Sequence, residues 1–255
     1  MATAAAAGTF DIADMTVNRL GFGAMRITGE GVWGDPPDRD AAKAVLHRAV
    51  ELEINLIDTA DSYGPEVSEE LIAEALYPYP DDLVIATKGG LERSGPGEWH
   101  RNGHPEHLRE ACEASLGRLR LERIDLYQLH APDPNVPIAD SLGELNALQN
   151  EGKIRHIGVS NFDAEQLAQG RELSTIVSVQ NRYNADDRTS EPVLEACECD
   201  RLGFIPWFPL SAGSSDSPQQ AIAWLLHKSP VMLPIPGTSS IEHLEENVAA
   251  ASLEP

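Results

Sequence analysis

The sequence predicts an α/β protein built as a single-domain (β/α)8 TIM barrel over residues 1–255. Three observations carry this expectation. Short β-branched runs alternate with amphipathic helical patterns, eight of each fit into the chain, and no Pro/Gly/Ser-rich linker or internal repeat divides it. A doubly wound sheet of eight strands is the competing arrangement.

Taken in order, the strand candidates are RLGFGAMRI (19–27), INLIDTA (54–60), LVIATK (83–88), IDLYQLH (124–130), IRHIGVS (154–160), TIVSVQN (175–181), FIPWF (204–208) and VMLPI (231–235). Helical patterns follow near 39–52, 67–77, 105–119, 139–151, 163–172, 190–201, 218–228 and 240–251. Ser68, Asp163 and Ser240 stand where helices begin, and Pro105 and Pro218 fit a first helical turn. Residues before Arg19 are expected to form a small β-hairpin that plugs one end of the barrel. The longest connection, GGLERSGPGEWHRNGH (89–104), is Gly-rich, carries Trp99 and lies after a strand, where a substrate-covering loop is expected.

Composition narrows the function classes. With 41 acidic against 19 basic residues the net charge is −22, which excludes bulk attraction to nucleic acid or an anionic membrane. Three cysteines, Cys112, Cys197 and Cys199, fit a reducing cytoplasm better than a secreted disulfide scaffold. The C-x-C pair lies on a predicted helix without further ligands nearby, so no metal is expected there. The N-terminus lacks a basic region and a long apolar core, and no run reaches the length of a membrane span, so a cytoplasmic protein with no membrane partner is expected.

The stretch LIDTADSYG (56–64) is where chemistry enters. An ordinary turn explains Asp61, Ser62 and Gly64, but not a carboxylate at Asp58 beside a buried strand. In a barrel all strand ends open onto one mouth. Asp58 and Tyr63 follow the second strand, Lys88 ends the third, His130 the fourth, Ser160 and Asn161 the fifth, and Gln180 and Asn181 the sixth. Singly, each has a bland explanation: a cap, a rim hydroxyl, a strand-end ion pair, a satisfied histidine. Together, Asp, Tyr, Lys and His form an acid–base set.

LIDTADSYG, IATKG, LYQLH, IGVSNF and VQNRYN, in that order and spacing, resemble the motif series of the aldo-keto reductase superfamily, from about Leu20 to Asn247. The resemblance implies reduction of an aldehyde or ketone to an alcohol with a nicotinamide cofactor, usually NADPH. The implied catalytic residues are Asp58, Tyr63, Lys88 and His130. Tyr63 would give the proton to the carbonyl oxygen, and Lys88 would lower the phenol's pKa from its ordinary ~10. Asp58 would hold the ammonium, and His130 would orient the carbonyl. A Lys88→Ala chain is expected to lose turnover with little loss of fold.

No G-x-G-x-x-G or P-loop pattern is present, as the resemblance implies for a dinucleotide lying across the barrel mouth. The implied cofactor-binding positions begin with Gly23, Met25 and Asp58, then Ser160, Asn161 and Gln180 around the carboxamide. Trp207 would stack on the nicotinamide, and Phe208, Leu210 and the SAGSS run (211–215) would border the pyrophosphate. Gly237, Thr238, Ser239, His243, Glu246 and Asn247 would face the adenosine end, at a helix start suited to an anion.

Residues 236–255 hold no lysine or arginine for a 2′-phosphate, so His243 is the nearest candidate and NADH stays open. The chain near 211–217 is short for the family and ends early at Pro255, so Trp33 and Trp99 are expected to wall the substrate pocket. The expected partner is a small carbonyl compound, and the expected state is a monomer. A noncatalytic nucleotide-binding relative and a metal-dependent barrel hydrolase are the alternatives; the second would need metal-ligand motifs that the sequence lacks.

Overall fold

The β-branched runs pair as strands and the amphipathic runs pack over them as helices. In the computed structural model, which describes residues 2–210 and 217–253, the chain opens with β1 (Thr9–Ile12), β2 (Met15–Asn18), β3 (Phe22–Gly23), α1 (Arg39–Glu51), β4 (Leu56–Asp58) and α2 (Val67–Leu76). Next come β5 (Val84–Gly89), β6 (Leu91–Gly95), β7 (Glu98–Arg101), α3 (Pro105–Leu119), β8 (Ile124–Leu129) and α4 (Ile138–Asn150). The chain continues through β9 (Ile154–Ser160), α5 (Ala164–Leu173), β10 (Ile176–Arg182), α6 (Glu191–Asp200), β11 (Gly203–Trp207), α7 (Pro218–Lys228) and α8 (Ile241–Ala249).

Seven strands form one parallel sheet in the order β3-β4-β5-β8-β9-β10-β11, each joined to the next by a helical crossover. The expected eighth strand, 231–235, is not a regular strand. It makes an isolated parallel bridge between Met232 and Phe204. Pro234 and Pro236 have no N–H to give to a ladder, which explains the loss. The segment still closes the cylinder: Phe204 N–H donates to Val231 O at 2.9 Å, Leu233 N–H to Phe204 O at 2.8 Å, and Gly21 N–H to Pro234 O at 3.0 Å. The first strand is likewise shorter than its apolar run predicts. Only Phe22–Gly23 pairs, and Ala24–Ile27 coils into a 3-10 turn.

The interior is filled by Leu56, Val84, Ala86, Leu126, Val177, Ile205, Leu233 and Ile235, which cluster with Ile12, Met15 and Val17 of the β1–β2 hairpin. That hairpin plugs the end where the strands begin, as expected. Two further apolar clusters bind the helices to the outside of the sheet. Each buries many full-size side chains at roughly 1.5–3 kcal/mol apiece.

Helix starts follow local chemistry. Asp38, Ser217 and Ser240 cap α1, α7 and α8, and Asp163 forms a capping box with Gln166 on α5. Ser68 is not a cap; it is buried inside α2, where its hydroxyl meets Thr59 and Ala24 O. The long connection 89–104 is also more ordered than a loop. Its β6 and β7 pair antiparallel around a turn at Gly97, whose φ of +75° suits glycine. Among the described residues no helix is long and apolar enough to cross a membrane.

Candidate active site

Side-chain parity along the strands sets what faces the cylinder's axis. The alternation that puts Leu56, Ala86 and Leu126 in the interior puts Asp58, Lys88 and Gln128 two residues further toward the mouth. The pairing continues past β4, where Thr59 N–H donates to Ala86 O at 2.8 Å and Asp61 N–H to Lys88 O at 3.3 Å. Tyr63 sits on the following turn, its carbonyl accepting from Ser68 N–H at 3.1 Å at the start of α2. His130 directly follows β8, with its N–H on Gly89 O at 2.9 Å.

The four expected side chains meet there. Lys88 Nζ donates to Asp58 Oδ2 at 2.7 Å, Thr59 O at 2.8 Å and Tyr63 Oη at 3.3 Å. The Tyr63 and His130 rings lie edge to face, 5.8 Å apart. All four are buried, Lys88 completely. Asp58 Oδ1 accepts from Gln180 Nε2 at 2.7 Å and Gln128 Nε2 at 3.2 Å, so its charge is held on both oxygens.

Burial raises the Tyr63 phenol above its ordinary pKa; Lys88 opposes this and does not outweigh it. The expected lowering by Lys88 is therefore present only as an opposing influence, because the phenol is desolvated as well as paired. Burial also works against the Lys88 ammonium, but Asp58 and then Tyr63 carry its pKa above the ordinary lysine value. Burial, helped by the Lys88 charge, holds His130 well below the usual imidazole range, so its ring is neutral. The resting set is a charged pair, a protonated phenol and a neutral imidazole.

Beside it, Asn161 joins three elements from a left-handed backbone (φ +61°). Its Nδ2 donates to His130 O at 2.9 Å and Ser160 Oγ at 3.1 Å, and its Oδ1 accepts from Trp207 Nε1 at 3.1 Å. Ser160 Oγ donates to Gln180 O at 2.8 Å. Ser160, Asn161, Gln180 and Trp207 thus share one rim with the acid–base set. Phe208 is exposed and Leu210 packs on the core, while residues 211–216, including the SAGSS run, lie outside the described residues.

A second group lies along the closing seam. Gly23 pairs in register with Asp58. A side-chain carbon on Gly23 would stand 2.7 Å from Ile235 O, and one on Gly237 would stand 2.5 Å from Gly23 O, so backbone across the seam excludes a side chain at either position. Thr238 is buried and accepts from Ser240 N–H at 3.1 Å; Ser239, His243 and Glu246 are exposed, and Asn247 is buried. Met25 is partly exposed on the turn after β3.

Arg26, absent from the sequence reading, is exposed on that turn and lies against Gly237, with its Cγ 3.4 Å from where a Gly237 Cβ would be. It supplies a cation to a seam whose own residues have none. The signal is the arginine three residues after the G-x-G pattern, legible only once the two ends of the barrel are known to meet. Gln128, at interior parity in LYQLH, was the second omission.

The expected aromatic walls are split. Trp99, on β7, makes T-shaped ring contacts with Tyr63 (6.3 Å) and His130 (6.4 Å), whereas Trp33 makes a backbone bridge to Gly64 and no ring contact with either. Among the described residues no three His, Cys, Asp or Glu side chains converge as a metal site would require.

The Aldo/keto reductase family model matches residues 19–220. The chain belongs to the aldo/keto reductase family. This aldo/keto reductase is 50% identical over 98% of its length to a Schizosaccharomyces pombe protein described as an uncharacterized oxidoreductase, spanning 87% of that protein. It is 41% identical over 96% of its length to pyridoxine 4-dehydrogenase of Escherichia coli, spanning 93% of it. Its fold superposes on an aldo/keto reductase from Klebsiella pneumoniae solved with NADP and acetate, with TM-score 0.79 and 26% identity over 94% of this chain and 88% of the other.

Proposed function

We propose that this aldo/keto reductase reduces an aldehyde or ketone to the alcohol with NADPH, with Tyr63 as proton donor. The observation that carries the reading is the buried contact of Lys88 Nζ with both Asp58 (2.7 Å) and Tyr63 Oη (3.3 Å), beside a neutral His130. The residues at the mouth fit a nicotinamide dinucleotide. The hydroxyl of Ser160 and the amides of Asn161 and Gln180 match the donors and acceptors of a carboxamide, and Trp207 offers a flat face beside them. Arg26, Thr238, Ser239 and the start of α8 offer a cation, hydroxyls and backbone N–H groups to phosphates. The NADP-bound relative supports NADPH over NADH, and Arg26 supplies a reason in this chain's own residues.

When bound, the reduced nicotinamide supplies the hydride. The chain's residues handle the proton. The Tyr63 O–H donates to the carbonyl oxygen as negative charge develops there, and the Lys88 ammonium then neutralises the phenolate left behind. Asp58, held by Gln128 and Gln180, keeps that ammonium in place. His130, uncharged, offers an N–H to the same oxygen without drawing the proton away from Tyr63. Burial that raises the phenol's pKa keeps the donor protonated throughout the neutral range.

For the substrate, we propose a planar aromatic aldehyde of the size of pyridoxal. The likeness to pyridoxine 4-dehydrogenase and the Trp99 ring beside Tyr63 support this choice. The test is to titrate NADPH and NADH by fluorescence, then follow oxidation of the bound cofactor with pyridoxal, other aromatic aldehydes and short aliphatic ones. Turnover no faster than that of a Tyr63→Phe control across the panel would end the reading.

A further inference from the structure

Arg93, on β6, is a half-buried cation in a strongly acidic protein, yet among the described residues it pairs with no carboxylate. Its guanidinium instead donates to five backbone carbonyls in three separate segments. Nε reaches Glu98 O at 2.9 Å; Nη1 reaches Val32 O at 2.8 Å and Ser62 O at 3.1 Å; Nη2 reaches Gly31 O at 3.0 Å and Gly95 O at 3.3 Å. Its flat face lies 3.7 Å from the Trp99 ring and 5.7 Å from that of Trp33.

The arrangement links the hairpin directly to the proton donor. Ser62 is the residue before Tyr63, and Trp99, stacked on the guanidinium, makes T-shaped contacts with Tyr63 and His130. All four residues of β7 are exposed, so the hairpin has little apolar burial of its own to hold it down. Its other polar ties to the body among the described residues are Gly97 N–H to Gly31 O at 3.4 Å, Arg101 Nη1 to Pro132 O at 3.2 Å and Glu92 Oε1 with His107 Nδ1 at 3.4 Å.

We propose that Arg93 is a positioning residue that fastens the β6–β7 hairpin over the mouth and, by fixing Trp99 beside Tyr63 and His130, sets the size of carbonyl compound admitted. The substrate arm of this inference rests on the reductase reading above; the fastening does not. A lysine cannot replace the fastening. Its three N–H groups radiate from one atom, so they cannot reach five carbonyls spread around the edge of a guanidinium, and it has no flat face for Trp99.

The test compares Arg93→Lys and Trp99→Ala with the parent protein, using NADPH with a bulky aromatic and a short aliphatic aldehyde. In Arg93→Lys, KM for the aromatic aldehyde is expected to rise about tenfold or more, since misplacement by an ångström is costly. KM for the short aldehyde, kcat with it and NADPH affinity stay within about twofold. Trp99→Ala reproduces the loss of discrimination.

Deuterium exchange of Arg93→Lys is expected to quicken in residues 29–34, 61–64 and 91–101 and nowhere else. Uniform loss with both aldehydes and with NADPH, or an unchanged KM ratio, overturns the role in selection. Should the parent protein turn over no carbonyl, the reductase reading falls, and the exchange experiment alone decides the fastening: unchanged exchange refutes it.

Discussion

The two flanks of the barrel mouth are built differently. On the β4–β5–β8 flank the strands carry continuous registers, and the polar side chains at their ends are buried and bonded to one another. On the flank from β11 through 231–237 to β3, the segment 231–235 makes an isolated bridge in place of a strand ladder, the backbone is rich in glycine and proline, and the cylinder closes on a few hydrogen bonds. The first flank holds charges where water cannot screen them, which makes their geometry expensive to disturb. The second leaves Gly237, Ser239 and Arg26 open at its rim, beside the start of α8, where backbone N–H groups favour an anion.

The largest expected effect breaks the first flank chemically while sparing its structure. Tyr63→Phe removes one hydroxyl and is expected to lower turnover by about 10²–10⁴-fold, with NADPH affinity unchanged by fluorescence titration. Retained turnover would move the proton donor elsewhere.

Lys88 breaks the same flank structurally. The sequence-based expectation of little loss of fold does not survive its complete burial and three partners. Removing the ammonium in Lys88→Met strands the Asp58 carboxylate, at a cost of about 3–5 kcal/mol in urea unfolding. Asp58→Asn added to it is expected to restore part of that loss.

Acidity separates the groups further. His130 is held neutral in the fold and takes a proton once unfolded, so below its ordinary pKa of ~6.5 the unfolded chain binds more protons and stability falls as pH falls. Tyr63, raised in the fold, acts at the other end. Above its ordinary ~10 the unfolded phenol ionises first, and stability falls as pH rises. The reduction rate is expected to stay level across neutral pH and to decline only in alkali, as measured by initial rates in a constant-ionic-strength buffer series.

The second flank responds more gently. Arg26→Ala is expected to weaken NADPH about five- to tenfold and NADH less, as one exposed charged contact would. Equal weakening of both would place Arg26 away from the 2′-phosphate. Smallest of all, Ser240→Ala should cost about 1 kcal/mol through the lost cap on α8.

The same contrast governs what the sequence made legible. The acid–base flank was readable because period-2 alternation and polar strand ends are local signals: Asp58, Lys88 and His130 each follow an apolar run by fixed parity. Each of the eight helices expected from the sequence is present among the described residues, since amphipathic spacing is also local. The seam was harder. An apolar run such as 231–235 looks like a strand until its prolines are weighed, and Arg26 gains its place only from a contact with Gly237, more than two hundred residues away. The 89–104 segment was misjudged for the opposite reason. Gly95, Pro96 and Gly97 read as loop composition, yet they make the turn of a hairpin, and the arginine that reaches from it to Val32 and Ser62 gains those partners only in the fold.

The facing glycines of the seam carry one more implication. Because a side chain on Gly23 would meet Ile235 O and one on Gly237 would meet Gly23 O, neither position has room for substitution. On the cofactor path proposed above, a change of coenzyme would have to be engineered beside that joint, starting from Arg26.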